Sequence, residues 1–363
     1  MAEPIITTVI PTFKRPTLLK RAIESVLTQS FKSLVVCVYD NASGDETEEV
    51  VKTLANRDSR VLYFKNSQNI GPVANMIQGV KAVNTPFYSL LNDDDFLLPT
   101  FYENAINAFK SFPNAEFVCS KTIVIDLIDK KLQFCNQNWL PGFYEPSNDI
   151  VSKMYLSYFV QTGVLLSTSL REAIGSFEPS GSDSLYMTIA ATVFPFVVLN
   201  NYGAVVTLHE NAYSIVGEGI VKENVQTLYE HLLSTLSNVM NISVPPERKI
   251  HLLMYILKSY QQHFDTKKLN YLMSRNHEDS INNIICLPSL ITNRGLVAKF
   301  YDLFPEKTHS WVTQFFKLTR FLKRVLGRES KIGWIDLPKD AYTLLDGHNS
   351  DISTLVPYLK LKS

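Results

Sequence analysis

The stretch FYSLLNDDDFLLP, residues 87–99, decides the fold that this sequence predicts. An apolar run typical of a buried strand leads directly into three consecutive carboxylates. At a buried strand end, such carboxylates raise each other's pKa values unless a cation neutralises them. Because alternate residues of an extended segment share a face, Asp93 and Asp95 are expected to point the same way. The pattern predicts a site for Mn²⁺ or Mg²⁺, which prefer oxygen ligands; the alternative is a solvated acidic turn that caps the next helix.

Two polar clusters upstream of this stretch also follow strand-like runs. Ile5–Ile10 is a β-branched run that ends at the cluster Pro11–Arg15, and the apolar run Leu34–Tyr39 ends at Asp40–Asp45. Helices are predicted between the strands, at about residues 17–30, 46–55, 72–83 and 100–112. This alternation predicts a doubly wound, mostly parallel α/β sheet, in which ligands bind at the carboxyl ends of the strands. The three polar clusters are therefore expected to form one site.

The composition is that of an ordinary globular protein with a sizeable core. Of the 363 residues, 45% are hydrophobic and 19% are charged, and the 35 basic side chains balance the 35 acidic ones. This neutral total argues against a nucleic-acid-binding protein that relies on bulk charge.

The four cysteines are widely spaced, so buried thiols in a reducing, cytoplasmic compartment are expected. Without a signal-peptide pattern or an apolar run of the ~18 residues that a transmembrane helix needs, a soluble or peripheral protein is expected.

Four motifs, in their order and spacing, resemble the family 2 glycosyltransferases. They are Thr8–Arg15 (TVIPTFKR), Asp40–Thr47 (DNASGDET), Asn69–Gly71 (NIG) and Leu91–Asp95 (LNDDD). The resemblance is specific over roughly residues 5–120 and weaker to about residue 215. It implies a GT-A (Rossmann-like) fold and the inverting transfer of a sugar from a nucleotide diphosphate donor, with Mn²⁺ or Mg²⁺ as the cofactor.

The resemblance also implies a division of the chain. Residues 1–220 would form the GT-A catalytic domain, with a nucleotide-sugar-binding half at 1–120 and an acceptor-side half at 121–220. Beyond the resemblance, the helical pattern from about residue 221 predicts a mainly helical C-terminal region over 221–363. In the acceptor-side half, residues 133–146 are expected to form a long loop over the site. Trp139 in this loop would either stack on a sugar ring or pack beneath the loop.

The resemblance assigns the donor pocket mainly to the first two loops. Three residues of the first loop would lie against the nucleoside and the diphosphate: Pro11, Thr12 and Arg15. Asp40 would accept a hydrogen bond from a base N–H, which suits uracil or thymine and favours a UDP- or dTDP-sugar; the alternative is a turn-forming aspartate. Asn69 and Gly71 would shape the loop beside the donor, where glycine allows the backbone to approach closely.

The resemblance divides the acidic run between the metal and the donor. Asp95 would be the main metal ligand, and Asp93 would contact the ribose or the metal. Asp94 would belong to the donor pocket in a more structural role. His209, at the end of a strand-like run, would contact the metal or the diphosphate, although a lone histidine is equally often structural.

Inversion requires a base that deprotonates the acceptor hydroxyl and a Lewis acid that holds the leaving diphosphate. In the family this base is usually an acidic residue just before an amphipathic helix in the second half of the domain, often within an acidic pair. This sequence has Gly181–Met187 (GSDSLYM) there, with Asp183 as its single acid. Asp183 is therefore the candidate base; the alternative is that it only caps the helix. Glu178 is the reserve candidate.

One segment of the C-terminal region, Trp311–Lys331, is both amphipathic and basic. Its positive charges, set against only Glu329, are Lys317, Arg320, Lys323, Arg324, Arg328 and Lys331. A helix of this kind can lie on an anionic membrane surface and bring an enzyme to a lipid-linked acceptor. The alternative is a helix that packs on the catalytic domain with its basic edge in water.

The sequence thus predicts an inverting hexosyltransferase that takes a nucleotide sugar and a glycan or lipid-linked acceptor, in the cytoplasm or at the inner face of the membrane. Two alternatives stay open. A nucleotidyltransferase of similar fold would need a glycine-rich phosphate loop after the first strand, and Pro11–Arg15 contains no glycine. A catalytically silent module would bind the nucleotide sugar without turnover.

Overall fold

The computed structural model describes residues 3–136, 138–175 and 183–210, together with 242–245, 248, 252, 256 and 335–336. The strands are β1 (Ile6–Thr12), β2 (Leu34–Asp40), β3 (Val61–Lys65), β4 (Phe87–Leu90), β5 (Phe96–Leu97), β6 (Phe117–Asp126), β7 (Lys131–Phe134), β8 (Gly142–Tyr144), β9 (Val164–Ser167), β10 (Phe196–Leu208) and β11 (Ile335–Asp336). The helices are α1 (Pro16–Leu27), α2 (Thr47–Arg57), α3 (Pro72–Lys81), α4 (Phe101–Ser111), α5 (Asn148–Leu156), α6 (Thr168–Ile174) and α7 (Asp183–Val193).

One sheet holds the described strands in the order β11-β7-β6-β9-β4-β1-β2-β3, with β10 beside β6 and with β5 and β8 beside β10. The strands β4-β1-β2-β3 are parallel, as is the β6–β10 pair. The remaining pairs are antiparallel: β9 pairs with β4 and β6, β7 pairs with β6, and β5 and β8 pair with β10. Strand β11 pairs antiparallel with β7. The predicted doubly wound α/β class is confirmed. The antiparallel strands complete the second half of the sheet, where local periodicity does not reveal strand direction.

Helices cover both faces of the parallel strands. On one face, Ile6 and Ile10 of β1 pack with residues of α1, α2 and α4. On the other face, Val9 packs with residues of α3 and α7. All three side chains are fully buried. This double coverage explains the continuous apolar run of β2, because a strand buried on both faces has no solvent side.

The register of the strands brings the polar clusters to one edge of the sheet. Thr12 at the end of β1 is paired with Asp40 at the end of β2. Leu91, directly after β4, donates its N–H to the carbonyl of Val9 at 3.0 Å. β10 runs antiparallel to β5, so the end of β10 returns to the acidic run. The clusters therefore meet, as the alternation of elements predicted.

Helix α1 buries an apolar face and, with it, an arginine. It begins at Pro16, whose fixed φ suits the first helical position. Its buried apolar residues recur at helical spacing and are Leu19, Ala22, Ile23 and Val26. Arg21 is buried on the same helix, where a charged side chain is unusual.

Residues 133–146 do not form the predicted long loop over the site. β7 continues to Phe134, and β8 pairs with β10 so that Tyr144 lies opposite Phe196. Trp139 is fully buried, and its indole N–H donates to the carbonyl of Ser157 at 2.7 Å. Stacking of Trp139 on a sugar ring is therefore wrong, and packing beneath the chain is right, because the buried ring has its one polar group satisfied.

Most of residues 221–363, including Trp311–Lys331, lie outside the described residues, so the helical C-terminal region remains a prediction. The described strand β11 pairs antiparallel with β7, which the sequence pattern did not indicate. Within the described ranges, the helices are too short or too polar to cross a membrane.

Candidate active site

Hydrogen bonds join the first loop to the acidic run. Thr12 Oγ1 donates to Asp93 Oδ2 at 2.7 Å. The Arg15 guanidinium bridges two carboxylates, with Nη1 3.2 Å from Asp93 Oδ1 and 2.9 Å from Asp94 Oδ2. The Arg15 side chain is 23% exposed, so it approaches the carboxylates from the open side of the site. Arg15 thus supplies part of the positive charge that the acidic run requires.

Asp93 is buried among these partners. Burial, followed by the charge of Asp94, raises the pKa of Asp93 to about 6. Arg15 and the hydroxyl of Thr12 act in the opposite direction because they favour the charged form. The crowding predicted for consecutive carboxylates at a buried strand end is therefore present.

Asp95 is the most enclosed carboxylate of the run, at 1% exposure. Its Oδ1 accepts a hydrogen bond from the N–H of Thr207 at 3.0 Å. Its Oδ2 accepts from Thr162 Oγ1 at 2.7 Å and from Asn92 Nδ2 at 3.2 Å. Burial, followed by the charge of Asp94, raises the pKa of Asp95 to about 7. Asp95 therefore links the acidic run to the second half of the domain.

His209 lies beside the middle carboxylate, with Nε2 3.3 Å from Asp94 Oδ2. Two ligands that each lie ~2.1 Å from an octahedral ion are ~3 Å apart, so this pair fits one Mn²⁺ or Mg²⁺ ion. In the described part of the chain, no group of three or more His, Cys, Asp or Glu side chains is arranged to hold a metal. Within the described residues, Asp94 and His209 would be two candidate ligands, and the remaining positions of such an ion would suit water and diphosphate oxygens.

The contacts of the three carboxylates differ from those that the sequence interpretation assigned to them. Asp94 Oδ2 faces both His209 and Arg15, so Asp94 is the carboxylate best placed for a cation. Asp95 already accepts three hydrogen bonds from the protein. The assignment of Asp95 as the main ligand stays a prediction, and Asp94 becomes a second candidate.

Asp40 is buried at the end of β2, and both of its carboxylate oxygens accept hydrogen bonds. Its Oδ1 accepts from the N–H and the Oγ of Ser43 at 2.9 and 2.6 Å. Its Oδ2 accepts from the hydroxyl of Tyr63 at 2.5 Å. Burial and this bond to Asp40 raise the pKa of Tyr63. Sequence reasoning missed Tyr63, because a tyrosine in a strand carries no local signal of a distant carboxylate.

Asn69 and Gly71 shape the loop before α3, and their place beside a donor stays a prediction. Asn69 Oδ1 accepts from Asn41 Nδ2 and from the N–H of Gly71, each at 2.9 Å. Asn41 Oδ1 in turn accepts from the N–H of Ile70 at 2.9 Å. Gly71 has a φ of 89°, which glycine adopts without steric cost. This network fixes the third loop against the second.

The first loop presents an aromatic side chain that the sequence interpretation overlooked. Phe13 is 38% exposed and lies between the predicted donor residues Thr12 and Arg15. Lys14 has a positive φ of 55°, and its N–H donates to Ser43 Oγ at 2.8 Å, which joins the first loop to the second. Pro11 lies opposite Tyr39 in the sheet. In the sequence, an aromatic residue within a polar loop at a strand end could have indicated that Phe13 belongs to the candidate site.

Asp183 is linked to the acidic run through Gln161 and the adjacent Thr162. It is the first residue of α7, and its carboxylate accepts from the N–H groups of Ser184, at 2.7 Å, and of Gln161. Gln161 Nε2 donates to Asn92 Oδ1 at 3.1 Å, and the adjacent Thr162 bonds Asp95. Burial raises the pKa of Asp183. The reserve candidate Glu178 lies outside the described residues.

Comparison with known proteins identifies the domain that carries this site. Residues 7–174 match the model of glycosyl transferase family 2. A GalNAc(5)-diNAcBac-PP-undecaprenol beta-1,3-glucosyltransferase of Campylobacter jejuni is 41% identical over 97 residues, which are 26% of this chain and 31% of that protein. An abequosyltransferase of Salmonella typhimurium is 25% identical over 173 residues, 45% of this chain and 50% of that protein. The chain thus spans about a third to a half of the length of these relatives.

Solved structures agree on the fold. Residues 1–349 of S. aureus TarS in complex with UDP-GlcNAc give a TM-score of 0.58 at 16% identity, over 78% of this chain and 79% of that chain. At this identity the likeness concerns the fold alone, which is of the GT-A type.

Proposed function

We propose that this chain, whose residues 7–174 form a family 2 glycosyltransferase domain, transfers a sugar from a UDP- or dTDP-sugar to a hydroxyl group of a glycan or lipid-linked saccharide. The observation that carries the proposal is the meeting of two chemically different groups at one edge of the sheet. One is the acidic run with Arg15 and His209, and the other is the single carboxylate Asp183.

The donor base would bind at Asp40. Its carboxylate is held by Ser43 and Tyr63, so it is fixed in place as an acceptor for the imide N–H of a pyrimidine. The exposed ring of Phe13 supplies an apolar surface for the base beside it. These contacts favour a uridine or thymidine diphosphate over an adenosine donor, because the Watson–Crick edge of adenine has no ring N–H to donate.

The diphosphate would lie between Arg15 and the acidic run. Asp94 and His209 are the proposed protein ligands for Mn²⁺ or Mg²⁺, with Asp95 as the alternative ligand and Asp93 beside the ribose. A divalent ion bound there supplies Lewis-acid stabilisation of the leaving diphosphate. Arg15 contributes from the open side, since its guanidinium can pair with phosphate oxygens as it does with carboxylates.

Asp183 is the proposed base. It would accept the proton of the acceptor hydroxyl as the oxygen attacks the anomeric carbon from the face opposite the diphosphate, which inverts the configuration. A raised pKa suits a base, because proton transfer from a hydroxyl group becomes less unfavourable. The N–H groups of Ser184 and Gln161 orient the carboxylate.

The acceptor class draws support from one relative. The C. jejuni relative is named for a PP-undecaprenol-linked substrate, and it is 41% identical over the part that matches. We therefore propose a lipid-linked saccharide as the first acceptor to test, at the cytoplasmic face of a membrane.

Slow hydrolysis of a panel of nucleotide sugars with Mn²⁺ tests the proposal. We expect consumption of one pyrimidine-nucleotide sugar, and its loss with EDTA and in the variants Asp94→Ala and Asp95→Ala. Binding of a nucleotide sugar with no hydrolysis or transfer for any donor and acceptor would instead support a silent binding module. Exclusive turnover of adenosine- or cytidine-nucleotide sugars, whose bases have no ring N–H to donate, would contradict the role of Asp40.

A further inference from the structure

Arg21 is a buried cation directly behind the acidic run. It is 8% exposed, and its guanidinium carbon lies 5.0 Å from the centre of the Phe96 ring. Burial lowers the pKa of Arg21, and the charges of Asp95 and Asp94 act in the opposite direction. A buried charge is costly unless other groups compensate it, so its contacts show what it is there to hold.

Arg21 contacts two segments of the site through one nitrogen. Its Nη2 donates to the backbone carbonyl of Asp94 and, at 3.3 Å, to Thr207 Oγ1. Thr207 Oγ1 donates to the same carbonyl, and the N–H of Thr207 donates to Asp95 Oδ1 at 3.0 Å. Helix α1, the acidic run and the end of β10 are thus connected by one set of hydrogen bonds.

These bonds limit where His209 can lie. His209 follows Thr207 by two residues, and two residues of extended chain reach only ~7 Å. Fixing Thr207 against the Asp94 carbonyl therefore restricts the imidazole to the neighbourhood of the Asp94 carboxylate. The observed separation of 3.3 Å between His209 Nε2 and Asp94 Oδ2 is consistent with this constraint.

We propose that Arg21 is a positioning residue, which holds Asp94 and His209 in the arrangement that binds a divalent cation together with the donor diphosphate. The inference rests on the proposed function of the site. Arg21 differs from Arg15 in its direction of approach: Arg15 bonds side-chain oxygens from the open side, whereas Arg21 bonds the main chain from the interior.

The geometry favours arginine over lysine. A planar guanidinium can lie beside the Phe96 ring while one of its nitrogens reaches both the Asp94 carbonyl and Thr207. Lysine keeps the charge, but its ammonium group is on a shorter side chain and has no planar face to lie beside Phe96. Arg21→Lys therefore weakens the positioning contacts and preserves the sign of the charge.

The test measures Mn²⁺ affinity in the presence of UDP, by electron paramagnetic resonance of free Mn²⁺, for the full chain. We expect the Kd for Mn²⁺ to rise about tenfold or more in Arg21→Lys and in Thr207→Val, because partners of metal ligands typically contribute this much. Arg171→Lys is the matched control. Arg171 also bonds main-chain carbonyls, those of Val80 at 2.7 Å and Val83 at 2.9 Å, but its partners lie outside the acidic run.

A double-variant cycle separates positioning from general loosening of the domain. In a His209→Ala background, Arg21→Lys should have little further effect on Mn²⁺ affinity, because the pair that it positions is already broken. Wild-type affinity in Arg21→Lys, or an effect that adds fully to His209→Ala, overturns the inference. If Arg21→Lys does not fold, Thr207→Val decides by the same criteria. Absence of UDP and Mn²⁺ binding in the wild type would instead overturn the proposed function, and the positioning role with it.

Discussion

At the scale of single residues, three consecutive aspartates have three different environments. Asp93 and Asp94 share the Arg15 guanidinium, whereas Asp95 accepts three hydrogen bonds from the interior of the domain. Chemically identical side chains acquire different properties because their burial and partners differ. The same reasoning applies to Asp183, whose carboxylate accepts hydrogen bonds from the N–H groups of Ser184 and of the distant Gln161.

Asp183→Asn should slow transfer strongly and preserve the fold. Asparagine caps a helix about as well as aspartate does, but it cannot accept a proton. We expect kcat to fall by about 10²–10⁴-fold, with the Kd for UDP unchanged by calorimetry. Asp149→Asn, at an exposed position in the first turn of α5, is the control and should retain activity. Equal loss in both variants, or full activity in Asp183→Asn, would exclude the base.

The pH dependence of kcat tests the same carboxylate independently. Burial raises the pKa of Asp183, and a base must be deprotonated to act. The rate should therefore fall as pH drops through a pKa above the ordinary value for aspartate, with a slope of one. Residual activity of Asp183→Asn should lack this acid limb. If kcat of the variant still falls at low pH with the same apparent pKa, the titrating group is not Asp183.

Tyr63→Phe should weaken binding of the donor nucleotide. The substitution removes the hydroxyl that donates to Asp40 Oδ2, so the carboxylate loses one of the bonds that orient it. We expect the Kd for UDP to rise about fivefold, equivalent to ~1 kcal/mol for one hydrogen bond, with little change in kcat. Tyr144→Phe loses a hydroxyl bonded to the carbonyl of Leu140 and serves as the control. An unchanged Kd in Tyr63→Phe would remove Tyr63 from the donor pocket.

At the scale of elements, close contact between helices and the sheet fixes the loops of the site. α3 follows the loop Asn69–Gly71, and its residue Gly79 faces β1 and β2. A Cβ atom at Gly79 would lie 2.5 Å from Val9 Cγ1 and 2.8 Å from Tyr39 Cδ2. The absence of a side chain at this position lets the helix approach the strands.

Gly79→Ala should destabilise the domain, although helix propensity alone predicts a gain of ~1 kcal/mol. The added methyl group overlaps two buried side chains, and overpacking of this kind costs about 1–3 kcal/mol. Urea unfolding should therefore show a lower midpoint. Gln78→Ala, on the exposed side of α3, should change stability by less than about 0.5 kcal/mol. Stabilisation by Gly79→Ala would show that α3 does not pack this closely.

The elements up to β4 could be predicted from the sequence because their signals are local. Apolar runs, helical periodicity and polar strand ends were enough to place β1, β2 and the acidic run at one edge. The pairing of β8 and β11, and the burial of Trp139, depend on register between distant segments, so no local pattern indicates them.

The same distinction applies within the site. Asp40, Asn69 and Asp183 could be proposed from the sequence because each lies in a stretch that resembles a family motif. Arg21 and Thr207 were missed because their importance comes from contacts across 73 and 113 positions of the chain with Asp94. An arginine in an apolar helix face was nevertheless a signal, since such residues are seldom buried without a partner.

At the scale of the whole molecule, the donor and the acceptor would meet at the carboxyl edge of one sheet. Strand β11, at Ile335–Asp336, pairs with β7 of the second half. The basic segment Trp311–Lys331 precedes β11 in the sequence and lies outside the described residues.

Membrane contact through residues 311–331 remains a prediction that vesicle sedimentation can check. We expect the full chain to bind vesicles that contain anionic lipid, and to lose binding at high salt. Replacing Lys317, Arg320 and Lys323 with glutamine should reduce binding, since each basic residue contributes ~1 kcal/mol near such a surface. Donor hydrolysis should be unaffected. Equal binding to neutral and anionic vesicles would contradict the electrostatic contact.

Proton NMR of donor hydrolysis tests the central claim most directly, because it reports sugar transfer and its stereochemistry together. With Mn²⁺ and an α-linked UDP- or dTDP-sugar, the first free sugar to appear should be the β anomer, before mutarotation equilibrates the two forms. The signal should be absent with EDTA and in Asp183→Asn. First appearance of the α anomer, or no consumption of any nucleotide sugar, would contradict inverting transfer at this site.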